Sequence, residues 1–315
     1  MNFFAVKILK IEDLSSDVKR FTLVKEDGSA LPAFGGGAHI YVKFGEDGKF
    51  CNAYSLCSSP FDSQAYQIAV KKELAGRGGS IFMHDKLKEG DVVQITEPNN
   101  LFALNDAQSF LLIGGGIGIT PFMSQLYELE KNGKDFTLLY LKHNDGADVI
   151  ENELTSGPMA SHVKVHVTER GTRCDLEAII KSLDDKTNIY ACGTEKLHES
   201  LRTLCKDNNI ASERLHIEQF ALADEGGAGF TLILNKSGLT VEVKENETVL
   251  GAIERIKGPK IECLCRAGAC GTCELDVLEG EVDYNDQYYS DEERDNKHLL
   301  ACCCRAKSKK LVIDL

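Results

Sequence analysis

Short segments of alternating apolar and polar residues run through the first hundred positions, separated by glycine-rich turns. Residues 21–24 (FTLV), 39–42 (HIYV) and 66–70 (YQIAV) are examples. A period of two residues is typical of strands that turn one face to a core. The pattern predicts an antiparallel β-barrel over residues 1–105.

The pattern changes after Ser109. A buried run at 110–113 (FLLI) leads into a glycine loop, an amphipathic stretch at 122–131, and a second buried run at 136–140 (FTLLY). Strand, helix and strand in this order are typical of a parallel sheet covered by helices. We predict an α/β domain over residues 106–222.

A third pattern follows residues 223–229 (ADEGGAG), which are small and flexible and are predicted to be a linker. Segments 231–234 and 240–243 predict a hairpin, and 248–256 predict a helix ahead of a cysteine-rich loop. Residues 230–315 are therefore expected to form an α+β domain. Three domains also suit a chain of 315 residues.

Composition and charge narrow the possible partners. Hydrophobic and charged contents of 43% and 27% are typical of a globular protein. The net charge of −13 is spread along the chain, which disfavours nucleic acid and anionic membrane surfaces. The first residues soon meet charges at Lys10, Glu12 and Asp13, and no apolar run approaches the ~20 residues of a membrane span. We expect a cytoplasmic protein.

Seven of the twelve cysteines lie between Cys263 and Cys304. Cys265, Cys270 and Cys273 form a C-x4-C-x2-C pattern, and 28 residues separate Cys273 from Cys302. This is the plant-type 2Fe-2S spacing, in which one loop wraps the cluster and a distant cysteine completes the ligands. Glycines within the loop let backbone amides approach the sulfides.

The alternative to an iron-sulfur cluster is a zinc site. Common zinc patterns use two C-x2-C pairs or histidines, and His298 is the only histidine near this region. Spacing alone does not choose between Cys302, Cys303 and Cys304 as the fourth ligand. We expect Cys263 to be structural.

A glycine loop at 114–121 (GGGIGITP) follows a buried strand and precedes a helix. Its backbone N–H groups and the helix N-terminus are suited to a pyrophosphate. A second strand ends at 189–194 (IYACGT), and ligands bind at the carboxyl ends of such strands. Cys192 and Gly193 are therefore expected to face a nicotinamide.

Electron transfer from the predicted nicotinamide to the predicted 2Fe-2S cluster requires a flavin between them. A nicotinamide gives up two electrons as hydride, whereas a 2Fe-2S cluster accepts one at a time. Segments 52–56 (NAYSL) and 77–80 (RGGS) are the candidate flavin residues, although their composition alone equally suits a barrel strand and a helix-capping turn.

In this order, the pieces resemble the phthalate dioxygenase reductase family over the whole chain: flavin barrel, nicotinamide domain and C-terminal plant-type ferredoxin domain of the β-grasp fold. The family's R-x-Y-S strand is matched by Tyr54 and Ser55, and its two glycine and cysteine loops match 114–121 and 265–273. Its C-V-S-R-A segment aligns with 302–306, which implies Cys302 as the fourth ligand. Segments 52–56, 98–104 and 286–294 narrow the resemblance to one type of reductase within the family.

The resemblance implies a set of cofactors and contacts. The cofactors are FMN, NADH and a 2Fe-2S cluster. The implied flavin contacts are Tyr54, Ser55, Ile68, Ala69, Val70, Lys71, Arg77, Gly79, Ser80 and the stacking aromatic Phe220. The implied nucleotide contacts are Gly115, Gly116, Gly118, Thr120, Pro121, Cys192 and Gly193, and the cluster ligands are Cys265, Cys270, Cys273 and Cys302.

The chain departs from the family pattern at three places. Asn52 stands where the family has arginine, so neutralisation of the flavin phosphate is expected to fall on Arg77 and the amides of the helix after Gly79. Thr194 replaces a proline. Lys142 and His143 occupy the place where relatives carry Ser-Arg near the adenosine ribose. NADH is favoured because the family uses it.

The implied function is an oxidoreductase that passes single electrons from NADH to a Rieske-type oxygenase component. Ser55, Cys192 and Phe220 are the predicted catalytic residues, with Ser55 and Cys192 lining the meeting of nicotinamide and flavin while Phe220 gives up its stacking place. Alternatives are a reductase for a phthalate- or vanillate-type oxygenase or for a free acceptor, and a non-catalytic zinc or redox-sensing protein. The charged run 291–295 is expected to be a solvated surface rather than a docking site.

Overall fold

The computed structural model describes residues 2–146, 148–220, 227–286, 288–290 and 292–315, apart from the side chain at position 47. The chain divides into two compact units, Met1–Phe220 and Ala221–Leu315. Most of the predicted linker, residues 223–226, lies outside the described residues, as does position 291 of the charged run. Within the described residues, no helix is long and apolar enough to cross a membrane.

The first sheet of the Met1–Phe220 unit is six-stranded and antiparallel, with strand order β4-β3-β6-β1-β2-β5. Its elements are β1 (Phe3–Asp13), β2 (Val18–Val24), β3 (His39–Phe44), β4 (Phe50–Ser55), β5 (Tyr66–Lys71), α1 (Gly79–Asp85) and β6 (Val92–Thr96). A bridge between Leu56 and Ile68 joins the two ends of the order. This closure confirms the predicted barrel.

Alternation along the strands fills the barrel. Phe21, Ile40 and Ile68 are fully buried in its core. Burial of each such side chain contributes about 1.5–3 kcal/mol relative to exposure. The period of two that predicted the strands is therefore also what supplies the core.

The second sheet of this unit is five-stranded and parallel, with order β11-β10-β7-β8-β9. Its elements are β7 (Ser109–Gly115), α2 (Thr120–Lys131), β8 (Asp135–Lys142), α3 (Val149–Ser156), β9 (Val163–Val167), α4 (Leu176–Lys181), β10 (Thr187–Cys192), α5 (Glu195–Asp207) and β11 (Leu215–Glu218). Leu112 packs with α2 on one face, and Leu111 packs with α5 on the other. The strand order reverses between β7 and β10, and this switch point is where open α/β sheets bind ligands.

An ion pair joins the barrel to the parallel-sheet layer. The Arg20 guanidinium on β2 donates to both carboxylate oxygens of Glu153 on α3, at 2.8 and 2.5 Å. Ala69 of β5 also belongs to the same apolar cluster as Leu126 of α2. These contacts lie inside one compact unit, and the boundary after residue 105 stays a prediction.

The Ala221–Leu315 unit contains a mixed five-stranded sheet of order β13-β12-β18-β14-β16 and a two-stranded ribbon, β15-β17. Its elements are β12 (Phe230–Leu234), β13 (Leu239–Val243), α6 (Val249–Arg255), β14 (Glu274–Glu279), β15 (Val282–Asp283), β16 (His298–Leu300), β17 (Arg305–Ala306) and β18 (Lys310–Ile313). The parallel β12–β18 pair, with α6 packed on the sheet, confirms the β-grasp prediction. Thr248 lies just before α6 because its hydroxyl caps the helix by accepting from the Gly251 N–H.

Candidate functional site

Ser55 ends β4 with a buried hydroxyl. The residue is 5% exposed, and its Oγ has no hydrogen-bond partner among the described residues. A buried hydroxyl left unpaired costs about 1–3 kcal/mol. An unpaired donor at a barrel rim fits a ligand with a hydrogen-bond acceptor, such as a flavin ring nitrogen.

Asn52 and Tyr54 lie next to Ser55 on β4. The Asn52 Nδ2 donates to the Tyr54 hydroxyl at 3.1 Å. Burial raises the pKa of Tyr54 to about 12, so the phenol stays neutral and keeps a proton to donate. A Cβ added to Gly79 would lie 2.5 Å from the Asn52 Nδ2, so glycine lets α1 approach this strand. Asn52 thus links Tyr54 to α1 but brings no positive charge.

The predicted phosphate residues share the turn that leads into α1. Arg77 is exposed, Gly78 has a φ of 90°, and Gly79 is buried at the start of the helix. The Ser80 Oγ accepts from the Glu73 N–H at 3.0 Å and holds the turn closed. Arg77 and the first amides of α1 are therefore placed to share one anion.

The side chains of the predicted β5 contacts point in different directions. Ile68 and Val70 are buried in the barrel core, Ala69 packs against the core of the parallel-sheet layer, and Lys71 is exposed. Contacts from Ile68 and Val70 to a flavin can therefore come only from their backbone atoms.

The glycine loop and the end of β10 touch backbone to backbone. A Cβ at Gly118 would lie 2.3 Å from the Cys192 carbonyl oxygen, and one at Gly115 would lie 3.4 Å from the Gly193 Cα. Gly116 has a φ of 55°, which disfavours other residues. These glycines pack the loop against the end of β10 at the switch point, and the open edge at Gly116, where an added Cβ would meet nothing within 4 Å, is called the crevice.

Thr120 and Pro121 begin α2 directly after this loop. The buried Thr120 hydroxyl donates to the Ile117 carbonyl at 3.0 Å, which fixes the turn. Proline suits a first helical turn, where its missing N–H is not needed. The α2 N-terminus, with its partial positive charge, follows the crevice.

A cavity of about 670 Å³ lies beside the glycine loop. Residues 13–18 and Lys71 line it from the barrel, and Gly116, Lys142 and His143 line it from the parallel-sheet layer. It is large enough for part of a dinucleotide. The predicted ribose residues Lys142 and His143 therefore do meet the glycine loop at one cavity.

Lys142 is already neutralised within this cavity wall. Its ammonium lies 2.8 Å from the Asp148 carboxylate and 2.5 Å from that of Glu151. Burial opposes ionisation of Glu151, but hydrogen bonds from Arg170 and Lys142 outweigh it and hold the pKa of Glu151 below its usual value. The Lys142 ammonium is thus already paired with two carboxylates and is not free to bind an added phosphate.

Cys192, which is buried, and Glu218, which is partly buried, lie side by side at the ends of neighbouring strands. They are direct partners in the β10–β11 register, and Cys192 is fully buried. Burial, and then the nearby Glu218, raises the pKa of the Cys192 thiol well above its usual value, so it is neutral. Burial also raises the pKa of Glu218 to about 8, and its buried Oε2 has no partner in the described part of the chain.

Glu218 is the residue that sequence reasoning missed. A glutamate at the end of a short strand looks like a surface residue, and only the strand register brings it beside Cys192. Its position two residues before Phe220 is the signal that could have found it. Phe220 itself is 43% exposed.

One more thiol, that of Cys263, lies at the cysteine loop beside the four predicted ligands. Cys265 is hydrogen-bonded to Cys270 and Cys302, and Cys263 is hydrogen-bonded to Cys273 and Cys302. The Sγ atoms of Cys263, Cys273 and Cys302 all lie within 4.8 Å of one another. Hydrogen bonds from neighbouring thiols, chiefly Cys273 and Cys270 respectively, lower the pKa values of Cys263 and Cys265 below their usual value.

The loop backbone fits a negatively charged cluster. The Ala267 N–H donates to the Cys265 Sγ at 3.3 Å, and Gly268 and Gly271 have φ angles of 65° and 70°. A Cβ on Gly271 would lie 2.6 Å from the Tyr288 ring. The donor set of grouped thiolates and near amides suits a 2Fe-2S centre.

The two cysteines that follow Cys302 have further hydrogen-bond partners outside the loop. The Cys303 thiol donates to the Leu300 carbonyl at 3.6 Å, and the Cys304 thiol donates to the Asp286 carboxylate at 3.8 Å. The Ala301 N–H donates to the Cys273 carbonyl at 3.0 Å and brings the Cys302 turn to the loop. This arrangement supports Cys302 as the fourth ligand.

Comparison with known proteins identifies two regions of the chain. Residues 232–307 match the family described as "2Fe-2S iron-sulfur cluster binding domain". Residues 5–103 match the family described as "Oxidoreductase FAD-binding domain". The first region contains the cysteine loop, and the second contains the barrel with Tyr54 and Ser55.

Known relatives match this chain over nearly its full length and theirs. The chain is 47% identical to the carnitine monooxygenase reductase subunit of Escherichia coli strain K12, covering 99% of this chain and 98% of the relative. It is 32% identical to the phthalate dioxygenase reductase of Burkholderia cepacia, with coverage of 99% and 98%.

A solved structure extends the likeness to three dimensions. The structure of phthalate dioxygenase reductase, described as modular for electron transfer from pyridine nucleotides to [2Fe-2S], is 32% identical and has a TM-score of 0.77. The match covers 100% of this chain and 98% of that one. The predicted fold, electron-transfer activity and set of flavin, nicotinamide and 2Fe-2S cofactors are thereby confirmed. With a closed flavin barrel, a parallel nucleotide sheet and a clustered-thiol β-grasp unit in the same order, the chain belongs to the phthalate dioxygenase reductase family of oxygenase reductases.

Proposed function

We propose that this chain is the NADH-dependent reductase component of a carnitine monooxygenase and delivers single electrons to a Rieske-type oxygenase. The observation that carries the proposal is the 47% identity over nearly the full length of both chains. The relative that acts with phthalate dioxygenase is only 32% identical. The resemblance of segments 52–56, 98–104 and 286–294 independently indicates the same type of reductase within the family.

The barrel rim is proposed to position the flavin. When bound, the flavin accepts the hydride of the nicotinamide as an electron pair and passes the electrons singly to the 2Fe-2S cluster. Ser55 donates its unpaired buried hydroxyl to the ring edge, and Tyr54 offers a neutral phenol beside it. Arg77, Gly79 and Ser80 hold the single phosphate of FMN.

The crevice at the switch point is proposed to position the nicotinamide. Gly115, Gly116 and Gly118 let the pyrophosphate approach the backbone, and Thr120 and Pro121 set the start of α2 behind it. Cys192 and Gly193 form the wall at the nicotinamide, where a neutral thiol excludes water without adding charge. Phe220 covers the flavin ring until the nicotinamide displaces it.

NADH is proposed over NADPH because of the charges around Lys142. Asp148 and Glu151 neutralise its ammonium, so a 2′-phosphate at the cavity would meet two carboxylates instead of a free cation. A reductase that consumes NADH must work where that pool exists, which supports the proposed cytoplasmic location.

The partner test is a reconstituted turnover assay. The purified reductase is mixed with NADH and the oxygenase component of carnitine monooxygenase, and carnitine-dependent NADH oxidation is measured. The matched control replaces the oxygenase with that of phthalate dioxygenase and its substrate. We expect turnover with carnitine at least tenfold faster than with phthalate. Equal rates, or turnover with phthalate only, would reject the carnitine assignment while leaving the reductase activity intact.

A further inference from the structure

Cys263 lies outside the four-cysteine pattern yet inside the group of cluster thiols. It precedes Cys265 by two residues, and its Sγ lies within 4.8 Å of the Sγ atoms of Cys273 and Cys302. Thiolate sulfurs on one tetrahedral iron, with metal–sulfur bonds of about 2.3 Å, are about 3.8 Å apart. The Cys263 sulfur is therefore within a small side-chain rotation of a ligand position.

The thiols divide into two sets around Cys302. Cys265 is hydrogen-bonded to Cys270 and Cys302, whereas Cys263 is hydrogen-bonded to Cys273 and Cys302. Cys263 thus stands beside Cys273, and Cys270 is paired with Cys265 instead. Cys303 is a further neighbour of Cys302, so the spare sulfur beside Cys273 is that of Cys263.

We propose that Cys263 is a fifth thiol of the 2Fe-2S site, able to take the place of Cys273 as an iron ligand. In the exchange, the bond from iron to the Cys273 Sγ is replaced by one to the Cys263 Sγ. The proton of the Cys263 thiol passes to the released Cys273 sulfur, so one thiolate replaces another, and the charge of the site and the iron oxidation states are unchanged. The usual ligands remain Cys265, Cys270, Cys273 and Cys302.

Neither of the other extra cysteines has this placement. The Cys303 thiol donates to the Leu300 carbonyl, and the Cys304 thiol donates to the Asp286 carboxylate. Both are buried, and both are adjacent to Cys302 rather than Cys273. Substitution of Cys273 is therefore the change that tests Cys263 alone.

The experiment measures cluster content in the full-length protein. Cys273→Ala, Cys270→Ala, Cys263→Ala and the double variant Cys263→Ala/Cys273→Ala are reconstituted anaerobically with iron and sulfide. Iron and labile sulfide are assayed, and visible circular dichroism reports the cluster. Alanine is used because it offers no ligand atom.

We expect Cys273→Ala and Cys263→Ala each to keep at least half of the wild-type cluster, and Cys270→Ala and the double variant to keep less than a tenth. If Cys273→Ala loses its cluster as fully as Cys270→Ala, or the double variant keeps it, the proposal is overturned. Flavin content of each variant is measured in parallel, and reduction of that flavin by NADH tests the reductase function separately.

A milder substitution covers the case in which the alanine variants do not fold. Cys273→Ser keeps the side-chain volume, and serine ligation would move the charge-transfer bands to shorter wavelength because oxygen holds its electrons more tightly than sulfur. We expect Cys273→Ser to keep the all-sulfur spectrum and Cys263→Ala/Cys273→Ser to lose it. A shifted spectrum in Cys273→Ser itself would contradict ligation by Cys263.

Discussion

Two buried polar atoms without a partner belong to residues at the proposed cofactor sites. The Ser55 Oγ and the Glu218 Oε2 both lack a partner within the described ranges of the chain. An unpaired buried group is costly, so each of the two atoms is a candidate for a contact with a bound cofactor.

Ser55→Ala tests the first of these atoms. A hydrogen bond between uncharged groups contributes about 0.5–1.5 kcal/mol, so we expect flavin reduction by NADH to slow by about twofold to tenfold. Anaerobic stopped-flow absorbance measures the rate. Ser58→Ala is the control, because the Ser58 Oγ accepts from the Gln67 N–H within the barrel. An unchanged rate in Ser55→Ala would remove the serine from the flavin site.

Glu218→Gln tests the second of these buried atoms, the Glu218 Oε2. The pKa of Glu218 is raised to about 8 by burial, above its ordinary value of 4.5. The Glu218 carboxyl therefore binds its proton more tightly in the folded state than in the unfolded state. Its contribution to the free energy of unfolding is fully present below about pH 4.5 and is lost as the pH rises through 8. We expect wild-type stability to fall relative to Glu218→Gln between pH 5 and about 9.

Chemical unfolding followed by flavin fluorescence measures this difference. Glu213→Gln, on an exposed residue of the same unit, is the control and should follow the wild-type pH dependence. Parallel pH profiles for wild type and Glu218→Gln would show that the pKa of Glu218 is not raised.

At the scale of elements, two charge clusters join β-strands to α3. Arg20 of β2 binds Glu153, and Lys142 of β8 binds Asp148 and Glu151. The first cluster ties the barrel to the parallel sheet, and the second sets the charge of the nucleotide cavity.

Arg20→Met should loosen the barrel from α3. The guanidinium is buried and makes two hydrogen bonds, and their loss leaves the partly exposed Glu153 without them. We expect a loss of about 1.5–3 kcal/mol in the free energy of unfolding of the Met1–Phe220 unit, followed by flavin fluorescence. Lys10→Met breaks the exposed pair with Glu12 and should cost less than 1 kcal/mol. Equal effects of the two substitutions would contradict a structural role for Arg20.

Glu151→Gln should relax the discrimination between nucleotides. Removing one of the two carboxylates leaves Lys142 with charge to offer a 2′-phosphate. We expect the ratio of kcat/KM for NADPH to that for NADH to rise about tenfold, or ~1.4 kcal/mol. Glu177→Gln, which breaks the exposed pair with Lys181, should leave the ratio unchanged. A ratio that does not move in Glu151→Gln would place discrimination elsewhere.

At the scale of the whole molecule, the order of folds was predictable because each has its own periodicity. The alternation of apolar and polar residues predicted the barrel. Buried runs around a glycine loop predicted the parallel sheet, and the cysteine spacing predicted the cluster loop. The β-grasp helix was predicted from 248 but begins at Val249, since Thr248 serves as its cap.

Contacts that depend on strand register or loop path were not predictable. Glu218 meets Cys192 only because β10 and β11 pair in a particular register. Cys263 reaches Cys273 only because the loop folds back on itself, and we had expected it to be structural. The inward direction of Ile68 and Val70 likewise required the closed barrel.

The most direct test of the central claim is an anaerobic rapid-mixing experiment with NADH, recording flavin and iron-sulfur absorbance together. The account predicts that the flavin bands bleach first and the cluster bands follow, and that protein stripped of flavin leaves its cluster oxidised. Reduction of the cluster by NADH in flavin-free protein, or full bleaching of the flavin while the cluster stays oxidised, would contradict it.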